Sequence, residues 1–96
     1  MVEQPDSWPE HVKIETSQKL VEWIALLHDA TERKTLEQYW PSDGMFASQE
    51  KVGEVLVEGP LPDYIEWYFY EPAKKKKYKF SVETYHGSGG RWMSVD

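Results

Sequence analysis

The stretch from Asp63 to Val95 constrains the fold of this chain more than any other. It reads Asp-Tyr-Ile-Glu-Trp-Tyr-Phe-Tyr-Glu, a lysine-filled turn, Tyr-Lys-Phe-Ser-Val-Glu-Thr-Tyr, a glycine-rich turn, and Arg-Trp-Met-Ser-Val. Apolar and polar side chains alternate, aromatic and β-branched residues are enriched, and two turn clusters punctuate the run. That combination predicts a three-stranded antiparallel meander.

Side-chain parity then divides the meander into two faces. In the strand expected at 63–71, Ile65, Trp67 and Phe69 share one face, and Tyr64, Glu66, Tyr68 and Tyr70 share the other. In the strand expected at 78–86, Tyr78, Phe80, Val82 and Thr84 oppose Lys79, Ser81, Glu83 and Tyr85. Charged side chains belong in solvent, so Ile65, Trp67, Phe69, Phe80 and Val82 point to the core. Directly opposed residues share a face, which here demands an even number of residues in the connecting loop. A two-residue Lys74-Lys75 loop lacks the glycine or asparagine of a primed turn and sets Glu66 against Glu83. A four-residue loop, Lys74 to Lys77, pairs Tyr68 with Glu83 and Phe69 with Val82. The same rule applied to Gly87-Ser-Gly-Gly90 turns Met93 and Val95 inward, and Trp92 outward beside Tyr85. The outer face then carries Tyr68, Tyr70, Tyr85 and Trp92, with Glu66 and Glu83 among them and lysines at one end.

Upstream, residues 1–11 hold Pro5, Pro9 and Trp8 among polar neighbours and read as an extended arm pinned by Trp8. Alternation over His11-Val-Lys-Ile-Glu15 predicts a short first strand. Thr16 or Ser17 can cap a helix from Ser17 to about Ala30, because a short side-chain oxygen can accept from an unpaired amide of the first turn. Leu20, Trp23, Ile24 and Leu27 recur at three-and-four spacing, widened by Val21 and His28. Only the sheet is large enough to be covered by that apolar stripe. Nothing in Thr31-Glu-Arg-Lys-Thr forces a long break, and Leu36, Tyr39 and Trp40 again recur at helical spacing. A short second helix is expected from about Glu32 to Tyr39, ending before Pro41. Pro-Ser-Asp-Gly at 41–44 is a turn. Residues 45–59 fit a capped helix from Ser48 or a strand, and Gly53 with the following valines favours a strand over Gly53–Glu58. Gly59-Pro60-Leu61-Pro62 ends it. The expected class is α+β: one long and one short helix on a four- or five-stranded, mostly antiparallel sheet, with residues 12–96 forming one domain.

Chemistry is sparse in this sequence. The 96 residues contain no cysteine, which removes disulfides, thiolate catalysis and cysteine-based zinc sites. His11, His28 and His86 are widely separated, and none lies four residues from another. Neither Ser88 nor Ser94 sits in the context of an activated nucleophile. His-Gly-Ser-Gly-Gly at 86–90 could cradle a phosphate through its amides, but a phosphate loop leads from a strand into a helix and this one leads into another strand. No catalytic residue, metal ligand or cofactor is therefore expected. No stretch approaches the roughly 18 apolar residues of a membrane span, and no signal peptide is recognisable, so a cytoplasmic protein without membrane association is expected.

Charge is divided along the chain. Residues 1–73 carry 15 acidic and 5 basic side chains, while residues 74–96 carry 2 acidic and 6 basic ones. An acidic domain with an aromatic face suits a non-enzymatic binder of another protein. It fits an inhibitor or immunity-type role in which acidic side chains meet a basic, nucleic-acid-handling partner. Tyr68, Tyr70, Tyr85, Trp92, Glu66 and Glu83 are the expected contact residues, and the same face could pair two copies. One alternative is a nucleic-acid module using the lysines from Lys74 to Lys79 and neighbouring rings, which the net charge of −6 disfavours. Another is a small-molecule protein or enzyme with a helix–sheet pocket near His28 or His86.

Overall fold

The computed structural model describes residues 8–42, 50–54, 64–83 and 89–95. Its elements in chain order are β1 (His11–Ile14), α1 (Ser17–Glu32), β2 (Glu37–Tyr39), a 3-10 turn (Val52–Glu54), β3 (Tyr64–Glu71), β4 (Lys76–Glu83) and β5 (Gly89–Val95). The five strands form one sheet in the order β1-β5-β4-β3-β2, antiparallel at every pairing, with α1 packed on one face. This is the α+β architecture with a C-terminal meander that the alternation predicts.

Helix α1 starts where its cap allows. Thr16 is extended and its hydroxyl accepts from the Lys19 amide at 3.0 Å. Leu20, Ile24, Leu27 and Ala30 are its buried residues, with Trp23 and Leu26 packed partly beside them. Val21 and His28, expected to widen the stripe, are exposed.

The second helix expected over Glu32–Tyr39 does not form. Lys34 takes φ 62°, its amide donates to the Thr31 carbonyl, and the Thr35 amide donates to the Ala30 carbonyl. Those two bonds make a Schellman stop, with lysine where glycine is usual. The chain reverses, Leu36 drops into the core, and residues 37–39 join the sheet as edge strand β2. Likewise, Gly53 and Glu54, expected to open a strand to Glu58, belong to the 3-10 turn instead. The Gln38 side chain holds this segment, donating to the Glu50 carbonyl and accepting from the Val52 amide at 2.8 Å, while Val52 is buried. Residues 55–58 and the alternative helix start at Ser48 lie outside the described residues.

Register differs from expectation at both hairpins. Glu71 pairs with Lys76, so the first loop is Pro72 to Lys75 rather than Lys74 to Lys77. A Lys74–Lys77 loop would have kept Pro72 in the ladder, where it has no N–H to give. With Pro72 in the loop, Lys75 closes it at φ 55° and Lys76 and Lys77 become strand residues. Tyr68 therefore faces Lys79, not Glu83, and Phe69 faces Tyr78, not Val82. Because this shift is even, the faces of β3 and β4 keep their expected parity.

At the second hairpin the parity inverts. Glu83 pairs with Gly89 and Phe80 with Trp92, so an odd number of residues separates the paired ends. Trp92 points inward and is 0% exposed, while Met93 and Val95 lie on the outer face. Burying an indole, roughly 150–250 Å² of ring, outweighs burying Met93 and Val95. Trp92 becomes the hub of the core: its ring lies 4.8 Å from Tyr78, 5.1 Å from Trp8, 5.2 Å from Trp23 and 6.0 Å from Phe69. Its Nε1–H donates to the Pro9 carbonyl at 2.9 Å, tying the chain around Trp8 to the sheet. Gly90, on the same inward face between Val82 and Ile14, has no room for a side chain, since a Cβ there would strike the Ser81 carbonyl and Val82.

Candidate functional site

With α1 and Trp8 on the inner face, the outer face is set by register. The row nearest the middle runs His11, Met93, Lys79, Tyr68 and Tyr39 across the five strands. On one side of it lie Val95, Lys77, Tyr70 and Glu37, and on the other Lys13, Arg91, Ser81 and Glu66. The β2–β3 half is thus tyrosine-rich with carboxylates, and the β1–β5 half is basic.

Glu66 organises the tyrosine half. Its carboxylate accepts from the Tyr64 hydroxyl at 2.6 Å and the Tyr68 hydroxyl at 2.8 Å, and Lys79 Nζ lies 3.6 Å away. These groups close over it, leaving it 5% exposed. Burial works to raise the carboxyl pKa, but the two hydroxyls and the Lys79 ammonium outweigh it and hold the group below the ordinary carboxylate range. The tyrosines respond in the opposite sense. Burial of their hydroxyls, then the hydrogen bond and negative charge of Glu66, push Tyr64 and Tyr68 up to about 12. Glu66 is on the outer face as expected, yet it is a brace for two rings rather than an exposed contact.

Around this brace the rings are partly open. Tyr64 is 44% exposed, and Tyr68 and Tyr70 are half-buried. Tyr39 lies directly opposite Tyr68 with ring centroids 5.8 Å apart. Lys77 Nζ sits 5.7 Å from the Tyr39 ring centre and Lys79 Nζ 6.0 Å from that of Tyr68. The chain therefore brings Tyr68, Tyr70, Glu66 and Glu83 to one face, as the alternation implied. It does not bring Trp92, which has no surface to offer a partner. Tyr85 lies outside the described residues. Tyr39 was missed because its segment reads as helix, and the Lys77–Tyr39 and Lys79–Tyr68 contacts were missed because they depend on the hairpin register.

Elsewhere, His28 lines a groove of about 760 Å³ at the C-terminal end of α1, together with Lys34, Gln38, Trp40 and Val52. Its Nε2 is 3.2 Å from Glu32, four residues on. That is the place where a helix–sheet pocket was expected; His86 lies outside the described residues. Among the described residues, no three His, Asp or Glu side chains gather into a metal-binding set, and no helix is long and apolar enough to cross a membrane. No protein-family model matches the chain, no curated protein matches its sequence, and no solved structure matches its fold. What the described residues define is a fold class: one helix on a five-stranded antiparallel sheet.

Proposed function

We propose that this is a non-enzymatic protein-binding module that docks its partner on the β2–β3 half of the outer sheet face. The observation that carries the reading is the Glu66 brace. By fixing the Tyr64 and Tyr68 hydroxyls before any partner arrives, it lowers the ordering cost of docking on those rings. Tyrosine is also enriched among the residues that dominate binding energy. Glu37 and Glu83 on the same face, and the acidic excess of residues 1–73, favour a basic partner. An inhibitor or immunity-type protein occluding a nucleic-acid-handling surface is the form this takes, and a cytoplasmic setting suits its cysteine-free chain.

The test is capture from the native host at low salt, comparing the parent with Tyr39→Ala/Tyr70→Ala, which spares the Glu66 hydrogen bonds. The parent is expected to retain a basic protein that the double variant loses, with melting temperatures that agree. Equal capture by both would remove the proposal.

One observation favours a second reading. Lys77 and Lys79 lie against Tyr39 and Tyr68, and Lys74, Lys75 and Lys76 crowd the adjoining hairpin tip, so cations and stacking faces adjoin. Single-stranded nucleic acid is held by that combination. Titration of labelled single strands at two salt concentrations distinguishes the readings: steep salt dependence supports nucleic acid, and no binding supports the protein partner.

A further inference from the structure

At the other end of the outer face, β1, β4 and β5 meet in a hollow of about 420 Å³. Lys13 and Arg91 are direct cross-strand partners there, with Ser81 next in the row. Like charges placed opposite one another in a sheet repel, and neither cation enters an ion pair within the described structure. Two residues along the strands, Glu15 and Glu83 flank Gly89. Gly89 has φ +84°, and a Cβ on it would lie 2.5 Å from the Ile14 carbonyl, so no side chain can fill the gap between the carboxylates. The hollow thus has a cationic wall, an anionic wall and a floor of glycine backbone. The Tyr64 hydroxyl at its rim is already given to Glu66.

We infer that this hollow binds a short zwitterionic peptide, its carboxylate between Lys13 and Arg91 and its ammonium between Glu15 and Glu83. Two residues of strand separate the walls by about 7 Å, and two residues of extended peptide span about the same distance. The match favours a dipeptide over a free amino acid. A pure anion meets two carboxylates, and a pure cation meets Lys13 and Arg91, so neither is satisfied alone. The site shares Tyr64, as a rim contact, and Glu83 with the docking proposal, but its Lys13–Arg91 pair lies outside the tyrosine strip, so the titration below tests it separately from partner capture.

The experiment is an amide chemical-shift titration of the isotope-labelled protein with alanylalanine, its N-acetyl form, its C-terminal amide, glycine and inorganic phosphate. Alanylalanine is expected to shift the Ser81, Gly89 and Gly90 amides saturably, with a dissociation constant of about 1 mM or below. Each blocked form, glycine and phosphate should bind at least about tenfold more weakly. Arg91→Gln and Glu83→Gln should weaken alanylalanine by a similar factor while retaining native spectral dispersion. No response to alanylalanine overturns the inference. So does equal binding of the acetylated form or phosphate, which would mark a plain cation pair, or equal binding of glycine, which would remove the length match.

Discussion

At the scale of single residues, Glu66 is the side chain whose chemistry reaches furthest. Its carboxyl pKa is held below the ordinary value of 4.5 in the folded state. The stability it contributes is therefore present above that value and is lost as pH falls through the folded pKa. Urea midpoints followed from neutral to acid pH should drop along this limb in the parent and drop less in Glu66→Gln. The variant should itself be destabilised at neutral pH by about 1–3 kcal/mol, having lost charge-assisted acceptors under two hydroxyls. The alkaline limb has the opposite sign. Tyr64, Tyr68 and Tyr78 are each pushed up from 10.0 to about 12, by burial first and then by Glu66 or Glu71, so their contribution persists below pH 10.0 and fades as pH rises towards 12. Tyrosinate absorbance should show these three ionising last or only on unfolding; three early transitions would contradict the hydrogen-bond assignments.

Among the elements, the turns hold two lysines in the left-handed region that most L-residues avoid, Lys34 at φ 62° and Lys75 at φ 55°. Lys34→Gly and Lys75→Gly should each stabilise by about 0.5–1 kcal/mol, since glycine pays no Cβ penalty there. A loss of stability in denaturant unfolding would show that the backbone does not turn at these positions. Gly90→Ala should cost about 1–3 kcal/mol by overpacking against Ser81 and Val82. These positions also explain what could be read in advance. Strands β3 and β4 were legible because Glu66, Lys79 and Glu83 mark the solvent side unambiguously. Strand β2 was not, because its stop signal is a lysine in a glycine's place. In β5 the parity signal was a single residue, Arg91. A charged side chain at that position belongs outside, which sends Trp92 inward, but the glycine-rich turn suggested a loop of the wrong parity. Tyr68, Tyr70, Glu66 and Glu83 keep their outward placement despite this error because they depend only on β3 and β4.

For the whole molecule, the two faces of the sheet differ in how far they are sealed. One is sealed around Trp92, where Trp8, Trp23, Phe69 and Tyr78 converge. Trp92→Ala should cost about 3–5 kcal/mol, a large part of the stability of a domain this size, and thermal unfolding should show it. In the same layer the buried Trp67 Nε1–H has no hydrogen-bond partner among the described residues, and its ring stacks on Phe80 at 5.8 Å. The other face keeps tyrosines partly open over a braced carboxylate, and the proposed partner docks there.

Hydroxyl-radical footprinting of the captured complex against the free protein tests this division most directly. In the free protein Tyr39, Tyr64, Tyr68 and Tyr70 should be labelled while Trp67, Tyr78 and Trp92 are protected, and the partner should add protection at Tyr39, Tyr68 and Tyr70. Labelling of Trp92 in the native state, or tyrosines indifferent to the bound partner, would contradict the account.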